Sequence, residues 1–398
     1  MDAIDHLLTR GVDSIYPTRE ALEKVLRGGE KLTLYQGFDP TGAHLHIGHA
    51  VAMRKLRQFQ ELGHKVIFLI GDFTATIGDP SGKADARPIL TREQVLKNAK
   101  EYQHQASKIL RFDGNNPVEI LFNSKWLSKL TFADVVGLAT KFTVQQMIER
   151  DMFQERIKNG DQIGLHEFLY PLMVGYDSVA MNVDLELGGT DQTFNMLAGR
   201  KLVSQMLRKD KFVMTVPLLA DSKGVKIGKT AGNVIGLTDP PNEFYGKIMS
   251  LGDDAIIPCF TLLTDTPTET IDDMKKRMAE GGNPMVYKKM LAHELTKQFN
   301  SQSDADSAQK EFETRFQKGE LSQASLPSIS VTTISSNATT VDHLMALNLV
   351  ESKSEAKRLV EQKAVRYNET LITIPKEILD LKPGDIFQVG RKAVKITK

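Results

Sequence analysis

Residues 32–50 read LTLYQGFDPTGAHLHIGHA, which places a strand, a turn and the start of a helix in direct succession. LTLYQGF (32–38) is a short run of apolar and β-favouring residues, the kind buried on both faces of a parallel sheet. The next segment, VAMRKLRQFQELG (51–63), is amphipathic at helical spacing. Working outward, KVIFLI (65–70), VEILF (118–122) and VDLEL (183–187) repeat the buried-strand pattern. Between them lie amphipathic stretches such as TREQVLKNAKEYQHQASKIL (91–110), where Thr91 and Gln94 have the spacing of a capping box. Strand–helix alternation up to about residue 235 predicts a doubly wound α/β domain. Residues 140–181 carry no strand signal, and a helical insertion is expected over about 125–181.

Beyond that point the character changes. Residues 236–320 hold helical stretches rich in Lys, Glu and Met, and an all-helical domain is expected there. The stretch 321–340 is dominated by Ser, Thr and Ala with almost no charge, which reads as a linker. Residues 341–398 read as two short helices and a turn, then short strands, with eleven Lys/Arg against eight Asp/Glu.

Composition narrows the function classes. With 41% hydrophobic and 25% charged residues, the chain matches ordinary globular protein. No apolar run approaches the ~20 residues that span a bilayer. The opening MDAIDHLLTRGVDSIYP is acidic and amphipathic, unlike a secretory signal, so a cytoplasmic protein is expected. The single cysteine, Cys259 in IIPCF, excludes an intramolecular disulfide and a multi-cysteine zinc site, and reads as a small buried hydrophobe. A net charge of +1 assigns no partner, so any nucleic-acid contact must come from local patches.

Three motifs stand at positions suited to chemistry. In AHLHIGHA (43–50), His44, His46 and His49 are three of the chain's nine histidines. They suit a metal site, a base with an orienting partner, or a plain surface. The metal reading needs further ligands, and the local sequence offers only Asp39. His46 and His49 are three apart and so share a helix face, while Gly48 lets a ligand approach the backbone. A strand-to-helix turn is where an open α/β sheet binds ligands. IGDPSGK (77–83) looks like a P-loop but lacks its spacing and final hydroxyl. It is a tight turn, or a place where Asp79 receives an ammonium group. DSKGVKIGKTAGN (221–233) is a solvated loop, or one whose lysines close over phosphates.

Taken together, HIGH after the first strand and KIGKT about 180 residues later resemble the class I aminoacyl-tRNA synthetases. LELGGTDQTFN (185–195), GDPSGK and YPLMVGYDS (170–178) narrow the likeness to the tyrosyl-tRNA synthetases, and the tail from about 341 looks like their S4-type RNA-binding domain. The resemblance covers essentially the whole chain. It implies a Rossmann-like doubly wound parallel sheet, an all-helical domain and a small α+β tail.

The resemblance also implies a reaction: L-tyrosine and ATP with Mg2+ give tyrosyl-adenylate and pyrophosphate, and the tyrosyl group then passes to the 3′ end of tRNA(Tyr). Under it His46 and His49 donate to ATP, and Thr41 offers a hydroxyl to the phosphates. Asp39 meets the adenylate or the α-ammonium, while Lys226, Lys229 and Thr230 hold the departing pyrophosphate. Gly37, Gly48, Gly188 and Asp191 complete the ATP site, with Lys83 and Arg87 as further phosphate contacts. Tyr35 and Asp177 meet the substrate phenol, and Asp79, Tyr170 and Gln192 hold its amino and carboxylate ends. One position departs from the family pattern. Val174 stands where a Gln usually helps bind the amino group, and it cannot hydrogen-bond. The helical domain is expected to contact the anticodon, and Lys353, Lys357 and Arg358 form a basic stripe suited to RNA phosphates. A homodimer is expected, with Phe132–Met152 as the candidate interface. Tryptophanyl-tRNA synthetases share the two main motifs, but Asp177, GGTDQ and the S4-like tail favour tyrosine. A non-aminoacylating RNA-binding paralogue is a further alternative, and the intact motifs speak against it.

Overall fold

A computed structural model describes residues 2–42, 44–79, 91–221, 224–227, 234–316, 328–330, 338–350, 352–368, 370–379, 381–389 and 392–397. The chain divides into two compact units, Met1–Gln309 and Lys310–Lys398.

The first unit is built on a six-stranded sheet of order β1-β6-β5-β2-β3-β4. Its strands are β1 (Ser14–Tyr16), β2 (Thr33–Phe38), β3 (Lys65–Ile70), β4 (Glu119–Phe122), β5 (Leu185–Gly189) and β6 (Phe212–Val216). All neighbours are parallel except β1, which runs antiparallel to β6. Leu34, Tyr35, Val66, Phe68, Leu185 and Leu187 are all buried, as strands covered on both faces require. The four expected strands are present within two residues of their predicted bounds. β1 and β6 are the additions. FVMTV has the same buried character as the others, whereas SIY is too short to stand out in sequence.

Strand order, not strand content, creates the site. From β2 the chain adds β3 and β4 on one side, then returns to add β5 and β6 on the other. The order reverses between β2 and β5, and such a reversal opens a crevice at the carboxyl ends of the strands. Tyr35 on β2 lies level with Ile67 on β3 and Glu186 on β5.

The helix Ile47–Glu61 buries Ile47, Val51, Met53, Leu56 and Phe59, at about 1.5–3 kcal/mol for each large side chain. The expected insertion is helical: Ser124–Leu127, Phe132–Ala139, Val144–Ile148, Asp151–Asn159 and Tyr170–Ala180. Its core joins Leu138, Met147 and Leu172 to Leu202 of the helix Thr193–Leu207. The helices Pro241–Met249, Ile256–Leu263, Thr268–Ala279 and Pro284–Phe299 belong to the same unit. Arg10 ties the second of these down by donating to the carbonyls of Phe260 and Thr261 in its last turn and of Thr264 and Thr266 just beyond it, adding donors where helix carbonyls run out of backbone partners. Cys259 is buried within it, and burial pushes its thiol up to about 12.

The second unit carries the helices Thr340–Ala346 and Lys353–Glu361 and a five-stranded sheet. Leu344, Val360, Phe387 and Ile396 form its core. Ser328–Ser330, inside the Ser/Thr-rich stretch, is itself a strand, paired parallel to Lys392–Thr397. Among the described residues, no helix is long and apolar enough to cross a membrane.

Candidate active site

A cleft of about 290 Å3 lies at the reversal point. Tyr35, Gly37, Asp39, Thr41, His46, Gly48, His49, Asp79, Tyr170, Asp177, Gly188, Asp191, Gln192 and Lys226 all line it, as does Val174. The sequence places these residues on five separate stretches (35–49, 79, 170–177, 188–192 and 226), and the sheet topology brings them to one surface.

The HIGH segment forms the N-cap and first turn of a helix. His46 is the N-cap of Ile47–Glu61, and its Nδ1 accepts from the Gly48 N–H at 3.1 Å. His49 Nδ1 in turn accepts from the His46 N–H at 3.1 Å. The two rings lie 4.0 Å apart. With both Nδ1 atoms accepting, each neutral imidazole carries its proton on Nε2 and is fixed as a donor there. Gly48 has a further reason beyond ligand approach. A Cβ at this position would lie 2.9 Å from His46 Cε1, so the glycine makes room for the capping ring itself. His44 is exposed and lies outside this arrangement. Among the described residues, no group of three or more His, Cys, Asp or Glu is placed to hold a metal.

Backbone pairing brings residues 235–237 against the HIGH segment. Ile47 N donates to Ile235 O at 3.0 Å and Leu237 N to Leu45 O at 3.0 Å, an antiparallel bridge centred on His46 and Gly236. Lys226 Nζ reaches Asp191 Oδ2 at 3.0 Å, with both side chains partly exposed. Lys229 and Thr230 lie outside the described residues, as do Lys83 and Arg87.

The opposite end of the cleft is dry. Asp177 is 2% exposed and accepts from Trp126 Nε1 at 2.6 Å and Asn123 Nδ2 at 3.2 Å. Burial pushes its carboxyl well above the usual range, against the pull of these two donors. Tyr35, 1% exposed, bonds through its hydroxyl to Ser178 Oγ at 2.9 Å and not to Asp177. Ser178 Oγ is also bonded to Glu186 and Lys211, which form a buried ion pair. Burial raises the Tyr35 phenol as well, with Glu186 and Asp177 adding to the effect.

Between the two ends lies a cluster of carboxylates. Tyr170 donates to Asp39 Oδ2 at 2.8 Å, and Thr74 donates to Asp39 Oδ1 at 2.7 Å. Gln192 donates to Asp79 Oδ2 at 2.7 Å and is itself held by Asn195 at 2.8 Å. Arg150 is buried 4.0 Å from Asp79. Val174 faces the cleft on the helix of Tyr170 and Asp177. Sequence reasoning missed Asn123, Trp126, Thr74, Ser178, Glu186, Lys211 and Arg150. Asn123 was findable, since it directly follows β4 and so sits at a carboxyl end like the others.

In the second unit, Lys353, Lys357 and Arg358 occupy exposed positions of one helix, Lys353–Glu361. Lys353 is already paired with Asp342 at 2.9 Å.

The family model described as tRNA synthetases class I (W and Y) matches residues 27–317, and the S4 domain model matches residues 341–387. A tyrosine–tRNA ligase of Thermotoga maritima is 45% identical over 97% of this chain and 95% of its own length. One from Carboxydothermus hydrogenoformans is 46% identical over 92% of this chain and 90% of its own. The crystal structure of a C-terminally truncated mitochondrial tyrosyl-tRNA synthetase from Coccidioides posadasii superposes with a TM-score of 0.61 at 25% identity, covering 78% of this chain and 91% of that one. The chain therefore belongs to the class I tRNA synthetases, in the tyrosine–tRNA ligase family, and carries an S4 domain over residues 341–387.

Proposed function

We propose that the cleft between β2 and β5 is where this chain activates tyrosine and loads it onto tRNA. One observation carries the reading: a buried carboxylate and hydroxyl suited to a phenol share a single cleft with two imidazoles fixed as donors at a helix start. A tyrosine carboxylate oxygen attacks the α-phosphorus of ATP, and the bond to the pyrophosphate oxygen breaks. A hydroxyl of the tRNA 3′-terminal ribose then attacks the adenylate carbonyl, releasing AMP. Both steps ask for positioning and charge stabilisation more than for proton transfer.

Asp177 and Tyr35 take the phenol. Asp79, Tyr170 and Gln192 hold the amino and carboxylate ends, with Asp39 positioned by Tyr170 and Thr74. His46, His49 and Thr41 donate to the nucleotide, which passes over Gly37, Gly48 and Gly188. Lys226, now paired with Asp191, exchanges that partner for phosphate, and Lys229 and Thr230 belong to the same loop motif. Mg2+ enters with ATP as part of the substrate, as magnesium commonly binds through nucleotide phosphates.

The same reading extends beyond the cleft. The helical stretch 236–320 contacts the anticodon, and 341–398 grips tRNA(Tyr) through Lys353, Lys357 and Arg358. The chain works in the cytoplasm as a homodimer. The dimer proposal is supported by the exposed apolar side chains Phe132, Val136 and Val144, which are 84%, 47% and 70% accessible on the insertion. ATP–pyrophosphate exchange with tyrosine, tryptophan and phenylalanine tests the central assignment. Exchange with tyrosine above the other two is expected, and exchange with tryptophan alone overturns it.

A further inference from the structure

We propose that Lys211 is a positioning residue that sets the direction in which the Tyr35 hydroxyl points its proton. This rests on the reading that Tyr35 and Asp177 meet the substrate phenol. Lys211 is wholly buried and is not among the residues that line the cleft, and its ammonium lies 5.7 Å from the Tyr35 ring centre. Its three N–H groups have three acceptors: Ser178 Oγ at 2.7 Å, the Glu186 carboxylate, and Met196 O at 3.4 Å. Ser178 Oγ has three neighbours in turn: Lys211, Tyr35 Oη at 2.9 Å and Glu186 Oε2 at 3.3 Å. A hydroxyl has one proton and two lone pairs, so its direction is set by which neighbours can only donate and which can only accept.

An ammonium can only donate. At the other end Asp177, already accepting from Trp126 and Asn123, serves as an acceptor. Between them stand three hydroxyls in series: Ser178, Tyr35 and the phenol of the substrate. If the phenol gives its proton to Asp177, its oxygen must accept from Tyr35. Tyr35 must then accept from Ser178, and Ser178 from Lys211. One order satisfies every group, and each link polarises the next. Glu186 competes for the Ser178 proton, and its ion pair with Lys211 weakens that competition. Without Lys211, the Ser178 proton turns to Glu186 and Tyr35 donates backward to Ser178. The phenol then faces two acceptors with one proton to give.

The fold reserves space for this cluster. At Gly199, on the helix Thr193–Leu207, an added Cβ would lie 2.6 Å from Lys211 Nζ and 2.7 Å from Ser178 Oγ. The glycine is therefore the helix position that the ammonium and hydroxyl occupy.

The test is amino-acid-dependent ATP–pyrophosphate exchange on the full chain, with tyrosine, phenylalanine and 4-aminophenylalanine. The last carries an amine with two N–H donors in place of the hydroxyl. S178A and K211M are each expected to lower the tyrosine-to-phenylalanine ratio of kcat/KM by about tenfold, with phenylalanine itself little changed; in S178A, Tyr35 loses the hydroxyl that donates to it and turns its proton to the nearby Glu186 carboxylate. K211M also raises 4-aminophenylalanine relative to tyrosine, because a two-donor group satisfies two acceptors. K211M/E186L removes the competing carboxylate and recovers part of the lost ratio. S178A keeps the ion pair and stands in if K211M does not fold. Equal losses for all three amino acids in S178A and K211M, alongside a selective loss in Y35F, overturn the proposal. Unchanged selectivity in Y35F instead overturns the phenol-site reading beneath it.

Discussion

The two ends of the cleft are built on opposite principles. Where the phenol is read, Tyr35, Asp177, Ser178, Glu186 and Lys211 are all buried, and each is hydrogen-bonded to a named side chain. At the nucleotide end, Lys226 is 46% exposed and Asp191 is 31% exposed, and a pair so solvated contributes little by itself. A dry end discriminates single atoms, because any group left unpaired there has no water to turn to. A wet end can hold a highly charged nucleotide and release its products. Selectivity and turnover are thus assigned to different dielectric environments within one cleft.

Breaking the dry end should cost most. D177N places an amide N–H2 among the donors Trp126 and Asn123, and Asn123 is held in place because its own oxygen accepts from the Phe73 N–H at 2.9 Å. A loss on the order of 100-fold or more in kcat/KM for tyrosine is expected, read by pyrophosphate exchange. At the wet end, H46A and H49A should each lower kcat by up to about 100-fold. Because His49 also holds the His46 N–H, the double variant should fall well short of the summed losses. A fully additive result would mean that the two rings act separately.

V174Q lies between the ends and should be milder. It restores a hydrogen-bonding side chain beside Tyr170 and is expected to change the tyrosine KM a few-fold, as replacing a bridging water does. Selectivity against phenylalanine should stay constant, and a large change would show that the dry end extends further than its buried residues. The smallest effect is expected far from the cleft. His64 is buried with its Nδ1 accepting from the Leu32 N–H at 3.1 Å, and burial holds its pKa down at about 4. The unfolded chain takes up this proton near pH 6.5 and the folded chain only near 4, so stability is full above pH 6.5 and is lost as pH falls toward 4. H64Q should flatten the acid limb of a thermal-melt series while leaving neutral-pH exchange unchanged.

Much of this architecture is legible without coordinates. Buried-strand runs at 32–38, 65–70 and 118–122 and the capping box at Thr91 follow from local chemistry, and all four are realised. SIY (14–16) was hidden because a three-residue edge strand carries no period of its own. The site divides in the same way. His46 and His49 declare themselves by spacing on a helix start, and Asp79 by its turn. Ser178, Glu186 and Lys211 look like ordinary residues of a helix, a strand and the residue just before another strand, because a buried ion pair depends on what the fold brings beside it and not on its sequence neighbours.

The residues alone determined which segments become strands and helices, and that HIGH sits at a strand-to-helix turn. Those properties depend on side-chain periodicity and capping within a few residues. Only the tertiary structure decided that the order reverses between β2 and β5, that residues 235–237 pair with the HIGH segment, and that Tyr35 bonds to Ser178 rather than to Asp177. These depend on register between strands far apart in the chain, and on which buried partners can donate or accept, neither of which a local pattern encodes.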